Sequence, residues 1–211
     1  MNGRLLIIGA GGHGRVVADA ALCAGWRDVA FLDDDPLQKE SGGLPVLGPV
    51  STAVEYQDAD FVIAIGNTEV RQRAQDALEK QGLRIATVIQ PSAVISPNAT
   101  IGVGSVVMAG AVINAGARVG RGCIVNTCAS IDHDCAIGDF CHISVGAHLA
   151  GMVSMGEKTW VGIGAVVSND LSICGDCTIG AGAVVIRDID RPGTYVGVPA
   201  RQTNNLGKVD Q

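Results

Sequence analysis

The chain has 211 residues and 47% of them are hydrophobic, which is enough for a sizeable core. Only 3% are aromatic, whereas 29 are glycine, about twice the usual share. The net charge of −6 argues against non-specific nucleic-acid binding, because such binding needs a basic face. The sequence shows neither a signal peptide nor the roughly 20 consecutive apolar residues of a membrane span, so we expect a cytoplasmic protein without membrane contacts.

Strands and helices alternate along the first part of the chain, up to Val88, which predicts a small parallel sheet. Buried strands are expected where short apolar runs occur, and helices where the apolar residues recur at helical spacing. The predicted strands are residues 4–8, 29–32, 61–65 and 84–88, and the predicted helices are residues 15–24 and about 69–81.

A glycine-rich loop, Gly9-Ala-Gly-Gly-His-Gly14, lies between the first strand and the first helix, and Asp33 and Asp34 follow the second strand. The arrangement matches the pattern G-x-G-x-x-G, in which backbone amides at a helix N-terminus bind phosphate. A segment of about 90 residues is only half of a dinucleotide-binding fold, so a mononucleotide or nucleotide-sugar fits better than NAD. The alternative is a glycine turn that only packs the helix against the sheet.

From Ile95 to Val185 an aliphatic residue recurs at every sixth position, in sixteen consecutive hexads. The next residue is often glycine, as at Gly102 and Gly120, and the fourth residue after each aliphatic one is usually small. This period indicates a parallel β-helix in which three hexads form one triangular coil. We expect the aliphatic residues to stack inside about five coils, the small residues to fill the corners, and the glycines to relieve backbone strain at the turns.

Seven cysteines are an odd number, which does not suit a disulfide framework. Four of them occupy the small corner position and are interpreted as packing residues: Cys123, Cys135, Cys141 and Cys177. The pair Cys174 and Cys177 has the spacing of a zinc or redox motif. No second pair lies nearby in the sequence, so we favour corner packing and expect no metal.

Several motifs resemble the NeuD/PglD-type bacterial sugar acyltransferases. They are the run Asn126-Thr-Cys-Ala-Ser-Ile-Asp-His-Asp134, the segment 137–151, the tail Tyr195-Val-Gly-Val-Pro-Ala-Arg201, the glycine loop, Phe31-Leu-Asp-Asp34 and Ala64-Ile-Gly-Asn67. The resemblance covers nearly the whole chain. It implies a Rossmann-like nucleotide-sugar-binding α/β domain over residues 1–88, a left-handed parallel β-helix acetyltransferase domain over 89–201, and a polar tail over 202–211.

The resemblance also implies acetyl-CoA as donor, the amino group of a nucleotide-linked 4-amino-4,6-dideoxysugar as acceptor, and a homotrimer with active sites between subunits. Such an enzyme would serve the synthesis of a surface-polysaccharide or glycan precursor, with a UDP-, GDP- or dTDP-linked sugar. By the same resemblance, His133 is the general base and Asp134 positions it. The family often has Glu on both sides of this histidine; here Asp132 and Asp134 take these places, and their shorter arms are expected to weaken the contact.

The resemblance assigns the other site residues to two groups. Acetyl-CoA binding is expected at His142, Gly151, Ile163, Gly164, Ala181 and Arg201, with Arg187 and Arg191 as further candidates for its phosphates. Nucleotide-sugar binding is expected at Gly11, Gly12, His13, Asp33, Asp34, Gly66, Asn67 and Asn126.

The residues themselves support a catalytic role for His133. It follows the inward Ile131 by two positions, at an outward-facing turn between two acids. Imidazole titrates near neutrality, and a neighbouring carboxylate can fix its tautomer. The simplest alternative is an exposed turn histidine without a function.

Three further alternatives concern the whole protein. One is O-acetylation of a sialic-acid-like sugar, and another is a nucleotide-binding scaffold without catalysis. The third is a metal site built from His133, His142 and His148, as in the γ-type carbonic anhydrases, which this architecture also resembles. Their spacings of nine and six differ from the close pair and distant third of that family, so we expect no metal.

Overall fold

The computed structural model describes residues 3–203, and its N-terminal region is a four-stranded parallel sheet in the order β2-β1-β5-β6. The predicted parallel sheet is confirmed, with a short hairpin and a 3-10 helix (Val50–Glu55) inserted after β2. The elements are β1 (Arg4–Ile8), α1 (Gly12–Cys23), β2 (Asp28–Leu32), β3 (Glu40–Ser41), β4 (Leu44–Pro45), β5 (Asp60–Ile63), α2 (Thr68–Lys80) and β6 (Arg84–Ile85).

The central strand β1 is apolar on both faces because each face is covered. Leu5 and Ile7 lie in the core that also contains residues of α1, whereas Leu6 and Ile8 lie in the core that contains Leu78 of α2. Alternate side chains of a strand point to opposite faces, so one short apolar strand anchors both helices.

The second region is a parallel β-helix of about six coils, made of strands that pair in parallel with the strand one coil further on. Every third strand lies on the same side of the prism; the first face starts with β7, the second with β8 and the third with β9. The strands are β7 (Val88–Ile89), β8 (Val94–Ile95), β9 (Thr100–Ile101), β10 (Val106–Val107), β11 (Val112–Ile113), β12 (Arg118–Val119), β13 (Ile124–Val125), β14 (Ser130–Ile131), β15 (Ala136–Ile137), β16 (His142–Ile143), β17 (His148–Leu149), β18 (Ser154–Met155), β19 (Trp160–Val161), β20 (Val166–Val167), β21 (Ser172–Ile173), β22 (Cys177–Ile179), β23 (Val184–Val185), β24 (Gly193–Val196) and β25 (Arg201–Thr203).

The six-residue repeat has the predicted role, since its aliphatic residues form the buried interior of the prism. The repeat begins one hexad earlier than expected, at Ile89, because Val88 and Ile89 pair with Val106 and Val107. The predicted fourth strand of the sheet is present but shorter than residues 84–88: β6 ends the N-terminal sheet at Ile85, and β7 starts the β-helix at Val88. The chain passes between the two regions within two residues.

The glycines that follow the aliphatic residues do not have the predicted role. The left-handed backbone occurs two positions later, at every sixth residue from Gly104 to Gly182, and half of these residues are not glycine. Gly102, Gly120 and Gly138 have ordinary φ values, but a Cβ at any of them would meet backbone of the next coil. These glycines are needed for the close stacking of the coils.

The small corner residues are buried as expected, and several also form hydrogen bonds. The thiols of Cys123, Cys135 and Cys141 each donate to a carbonyl of the next coil at 3.2 Å. The hydroxyl of Ser105 donates to the Gly120 carbonyl at 2.8 Å in the same way. A polar hydrogen at the corner therefore satisfies a backbone acceptor that an alanine would leave open.

The two regions share a hydrophobic core. Val106, Met108 and Ile124, on the outer side of the first face, lie in the same buried cluster as Val17 and Ala21 of α1. The N-terminal domain thus packs against the first face of the prism and not against the other two faces.

At the other end, Gln202 and Thr203 belong to β25, which pairs antiparallel with β24. These two residues are therefore part of the sheet and not of a tail, and the remainder of the predicted tail, residues 204–211, lies outside the described residues. Between residues 3 and 203, neither α-helix is long and apolar enough to cross a membrane.

Gly138→Ala should destabilise the β-helix by about 1–3 kcal/mol, the usual cost of overpacking a rigid site. The added Cβ would lie 2.5 Å from the backbone nitrogen of Glu157 in the next coil. Gly3→Ala is the control, because no atom of the described residues lies within 4 Å of a Cβ there. Urea unfolding checks this; equal stabilities of the two variants would contradict the stacking role.

Candidate active site

His133 and Asp134 lie at the corner between the second and third faces, in the turn from β14 to β15. The His133 side chain is 52% exposed, and its Nδ1 lies 2.9 Å from Oδ2 of Asp134. Asp134 has a left-handed φ of 58°, a conformation that Asp tolerates better than most residues. The shorter aspartate arm does not prevent this contact, because the turn geometry brings the carboxylate to the ring.

The two acids beside His133 act differently. Asp132 Oδ1 accepts the His133 backbone N–H at 2.7 Å and the Asn114 side-chain amide at 2.8 Å, so it stabilises the turn. The hydrogen bond to Asp134 raises the pKa of His133 above its ordinary value, and the charges of both acids act in the same direction. With Nδ1 bonded to Asp134, Nε2 is the nitrogen that faces outward and can exchange a proton.

Gly151 lies one coil above His133, at the same corner. A Cβ at Gly151 would collide with the His133 ring at Nε2, so only glycine leaves room for the imidazole. Within residues 3–203 the Gly151 N–H donates no hydrogen bond. A proton acceptor and a free backbone donor therefore lie side by side, as acyl transfer requires.

His142 lies on the first face, far from this corner in the coil. Its Nε2 lies 3.2 Å from the side-chain amide nitrogen of Asn126, and its ring stacks on Trp160 at 6.1 Å between centroids. Burial lowers its pKa to about 3, with further lowering from the charges of Arg71 and His13. The ring is therefore neutral at physiological pH, and it can serve as a hydrogen-bonding partner but not as a cation.

The glycine loop begins α1 earlier than predicted, at Gly12. No side chain caps this helix, and a Cβ at Gly11 would meet nothing within 4 Å, so the first amides are open to a ligand. Gly14 is different, because a Cβ there would clash with the Gly9 carbonyl. The packing interpretation thus holds for Gly14, whereas the phosphate-binding interpretation fits Gly11 and Gly12.

His13 is part of the same loop, and its Nε2 is buried without a hydrogen-bond partner among residues 3–203. Burial lowers its pKa to about 4, and the charge of Arg71 adds to this. An unpaired buried nitrogen costs free energy, which a ligand with a hydrogen-bonding group would recover.

The predicted acids beside this loop are largely engaged in the protein itself. Asp33 accepts the backbone N–H groups of Ala10 at 2.7 Å and Asp35 at 2.9 Å, one on each oxygen. Asp34 Oδ1 accepts the Val50 N–H at 2.8 Å, which leaves its other oxygen for a ligand. Asp33 shapes the loop, and Asp34 is the better candidate for a direct contact.

Gly66 and Asn67 connect β5 to α2. Asn67 is the N-cap of α2, since its side chain accepts the Val70 N–H at 3.1 Å. Its amide NH₂ donates no hydrogen bond to the described residues and remains available at the same end of the sheet as the glycine loop.

The remaining residues predicted to bind acetyl-CoA lie along the corner between the first and second faces and at the end of the prism. Ile163, Gly164 and Ala181 are exposed on successive coils of that corner. Arg201 borders a pocket of about 190 Å³ that Arg187 and Tyr195 also line. Ile163, Gly164 and Ala181 thus follow one corner, whereas His142 lies on the first face, Gly151 at another corner and Arg201 at the end of the prism.

The three histidines considered for a metal site lie at three different positions around the prism. His142 is on the first face, His148 is on the second with Nδ1 2.8 Å from the Ser130 hydroxyl, and His133 is at the next corner. Across residues 3–203, no three His, Cys, Asp or Glu side chains are grouped so that they could hold a metal ion. Cys174 and Cys177 lie 3.4 Å apart at Sγ, as free thiols.

Two residues near the site were missing from the predictions. Trp160 follows His142 by one coil of 18 residues, so the repeat could have placed it against that ring. Arg71 is buried between the two domains, and an arginine in a helix carries no sequence signal for such a place.

Both regions of the chain are similar to known proteins. Residues 4–78 match the model of the PglD N-terminal domain. The UDP-N-acetylbacillosamine N-acetyltransferase of Bacillus subtilis is 39% identical over 104 residues, which make up 47% of this chain and 48% of that enzyme. The chain therefore aligns with about half the length of that curated relative, and with 20% of an uncharacterized mimivirus protein.

Two solved structures match nearly the whole chain. The acetyltransferase domain of PglB from Neisseria gonorrhoeae is 40% identical with a TM-score of 0.91, and the match covers 96% of this chain and 100% of that one. PerB from Caulobacter crescentus, in complex with CoA and GDP-perosamine, is 37% identical with a TM-score of 0.91, covering 96% and 98%. Fold and comparisons define a hexapeptide-repeat β-helix of the acyltransferase class joined to a PglD-type domain. The chain belongs to the NeuD/PglD-type family of sugar acyltransferases.

Asp134→Asn should lower the pKa of His133 toward the ordinary value of about 6.5. The hydrogen bond to the charged Asp134 carboxylate is the largest cause of the raised pKa, and the substitution removes that charge. Asp132→Asn is the matched control and should shift it less. With four histidines in the chain, proton NMR titration can follow His133 directly. Equal shifts in the two variants would contradict the assignment of Asp134 as its partner.

Proposed function

We propose that this protein transfers the acetyl group of acetyl-CoA to the 4-amino group of a nucleotide-linked 4-amino-4,6-dideoxysugar. The observation that carries the proposal is the corner where His133, bonded to Asp134, lies beside the free amide of Gly151. Relatives support the choice of substrates: PerB was solved with CoA and GDP-perosamine, and the gonococcal domain with acetyl-CoA.

In the proposed reaction, the sugar amine attacks the thioester carbonyl while His133 Nε2 accepts its proton. The tetrahedral intermediate carries a negative oxygen, which the Gly151 N–H stabilises by a hydrogen bond. When the intermediate collapses, the carbon–sulfur bond breaks and the leaving thiolate takes a proton from the imidazolium. The products are the acetamido sugar and CoA, and no acyl-enzyme forms.

Asp134 holds the imidazole in the tautomer that this reaction needs. Its carboxylate accepts the Nδ1 proton, which leaves Nε2 as the base, and its charge stabilises the imidazolium that forms. The raised pKa makes His133 a stronger base, although more of it is protonated at neutral pH.

The N-terminal domain would bind the nucleotide. The uncapped first turn of α1 offers backbone amides to the phosphates, with His13, Asp34 and Asn67 around it. The carboxyl ends of β1 and β5 meet here, where ligands of parallel α/β sheets commonly bind.

A second copy of the chain is needed to complete the site. The N-terminal domain covers the first face, whereas His133 lies at the corner between the second and third faces, which is the far side of the prism. We therefore infer a homotrimer, in which His133 and Gly151 of one subunit face the acetyl-CoA path of its neighbour along Ile163 and Ala181. We place the reaction in the cytoplasm, as a step toward a surface-polysaccharide or glycan precursor.

A mass-spectrometric transfer assay tests the function. The protein is incubated with acetyl-CoA and UDP-, GDP- or dTDP-linked 4-amino sugars, with a sialic acid in parallel. A gain of one acetyl group on a nucleotide-sugar is the expected result. Acetylated sialic acid would replace the N-transfer proposal with O-transfer, and acetyl-CoA binding without any product would contradict the substrate class.

His133→Ala should lower kcat by about 10²- to 10⁴-fold while folding is retained, as expected for loss of a general base. His148→Ala is the control, because His148 is an exposed histidine on a neighbouring strand, bonded to Ser130. Steady-state kinetics measures both, and an unchanged kcat in His133→Ala would refute the mechanism.

Gly151→Ala should also lower kcat, because the added methyl group would displace the His133 ring. We expect a loss on the order of 10²-fold, the scale of a misplacement by about 1 Å. Kd for CoA, measured by calorimetry, should stay within about threefold, since the change is local. A variant with weakened CoA binding and unchanged kcat would show that Gly151 matters for binding alone.

A further inference from the structure

Arg71 of α2 is 1% exposed and lies between the two domains. None of the ion pairs among residues 3–203 involves it; its guanidinium donates to uncharged oxygens instead. The acceptors are the carbonyls of Gly122 (2.9 Å), Ile65 (2.9 Å), Gly66 (2.8 Å) and Phe140 (2.8 Å), and the Thr68 hydroxyl (3.4 Å).

These carbonyls belong to the two halves of the proposed site. Ile65 and Gly66 lead directly to Asn67, in the loop expected to bind the nucleotide-sugar. Gly122 lies in the turn before β13, and Asn126 directly follows that strand. Phe140 lies two residues before His142, which begins β16. One planar, rigid group thus bonds to the nucleotide loop and to the two turns that lead into the Asn126 and His142 side chains.

Adhesion between the domains does not account for this arrangement. Apolar contacts between α1 and the first face already join them. Arg121 adds ion pairs to Asp76 and Glu79 of α2, and a longer one to Asp139 at 3.6 Å. Burying a guanidinium without a carboxylate costs free energy, which its hydrogen bonds to these carbonyls must offset.

The charge of Arg71 also acts on the neighbouring rings. Its buried guanidinium contributes to the lowered pKa values of His13 and His142, after the larger effect of burial. Both imidazoles belong to the proposed site: His13 lies in the glycine loop and His142 lies on the first face. Arg71 is therefore linked to both parts of the site by geometry and by charge.

We propose that Arg71 is a positioning residue, which holds the nucleotide loop at a fixed distance from the Asn126 and His142 face so that a bound sugar meets the acetyl group. The inference rests on the proposed function. Arg71 is not proposed to contact the substrate directly, because its guanidinium donors are occupied by acceptors of the protein itself.

The test compares Arg71→Met and Arg71→Lys with wild type. Met is similar in length but has no donors, and Lys keeps the charge without the planar fork. Arg73→Met is the matched control, since Arg73 is exposed on the same helix and, among residues 3–203, its side chain bonds only to the Glu69 carbonyl. The readouts are kcat with acetyl-CoA and GDP-perosamine, and Kd for CoA and for GDP.

We expect Arg71→Met to lower kcat on the order of 10²-fold, with both Kd values within about threefold of wild type. Arg71→Lys should be intermediate, and Arg73→Met should match wild type. If kcat of Arg71→Met stays near wild type, or if only a Kd changes, the positioning role is wrong. Should Arg71→Met fail to fold, Arg71→Lys decides, since a purely structural residue would leave its kcat unchanged.

Crystal structures of wild type and Arg71→Lys provide a readout that does not depend on activity. The separation of Asn67 and His142 should change by about 1 Å, the scale at which positioning affects rates. An unchanged separation would overturn the inference. Absence of transfer by the wild-type protein to all of the UDP-, GDP- and dTDP-linked 4-amino sugars would instead contradict the proposed function, and the two failures are thereby distinguished.

Discussion

The stacking of each coil on the next, 18 residues apart, is the constraint on which the rest of the structure depends. It brings Ile131 above Ile113 and below Leu149 in the interior. It also requires glycine at the turns where consecutive coils approach most closely, as at Gly120 and Gly138. The same spacing places Gly151 over His133, so that the proposed base and the proposed oxyanion donor are neighbours through the repeat itself. The proposed catalytic pair is therefore held by stacked turns of the β-helix.

The stacking also orders polar side chains on the outer surface. Trp160 supports the ring of His142, and Ser130 meets His148, each pair one coil apart. At the second–third corner, Asn114 holds Asp132 in the same way, which leaves Asp134 as the acid for the imidazole. Local turn geometry then completes the arrangement, because the left-handed φ of Asp134 directs its carboxylate back to Nδ1.

Most of the β-helix could be predicted because its repeat acts on every hexad, and the parallel N-terminal sheet followed from its apolar strands. Ile89 was missed because the run 84–88 reads as one strand, although a sheet and a prism divide it. The role of Gly102 and Gly138 was misjudged because sequence does not distinguish a glycine needed for φ from one needed for close approach. At the site, the prediction of His133 as the base rested on the family resemblance and on its acidic neighbours, whereas Arg71 gave no signal, since its acceptors are backbone carbonyls brought together only by the fold.

The proposed reaction depends on a site divided between two copies of the chain, because the nucleotide domain and His133 lie on opposite sides of one prism. Subunit mixing tests this directly with two inactive variants: His133→Ala lacks the base, and Gly12→Glu places a negative charge at the α1 N-terminus, where it repels phosphate. After mixed refolding in equal amounts, with hetero-oligomers verified by native mass spectrometry, about a quarter of the interfaces would combine an intact base with an intact nucleotide domain. We predict recovery of transfer activity toward that fraction, whereas mixed oligomers that stay inactive would contradict a shared site.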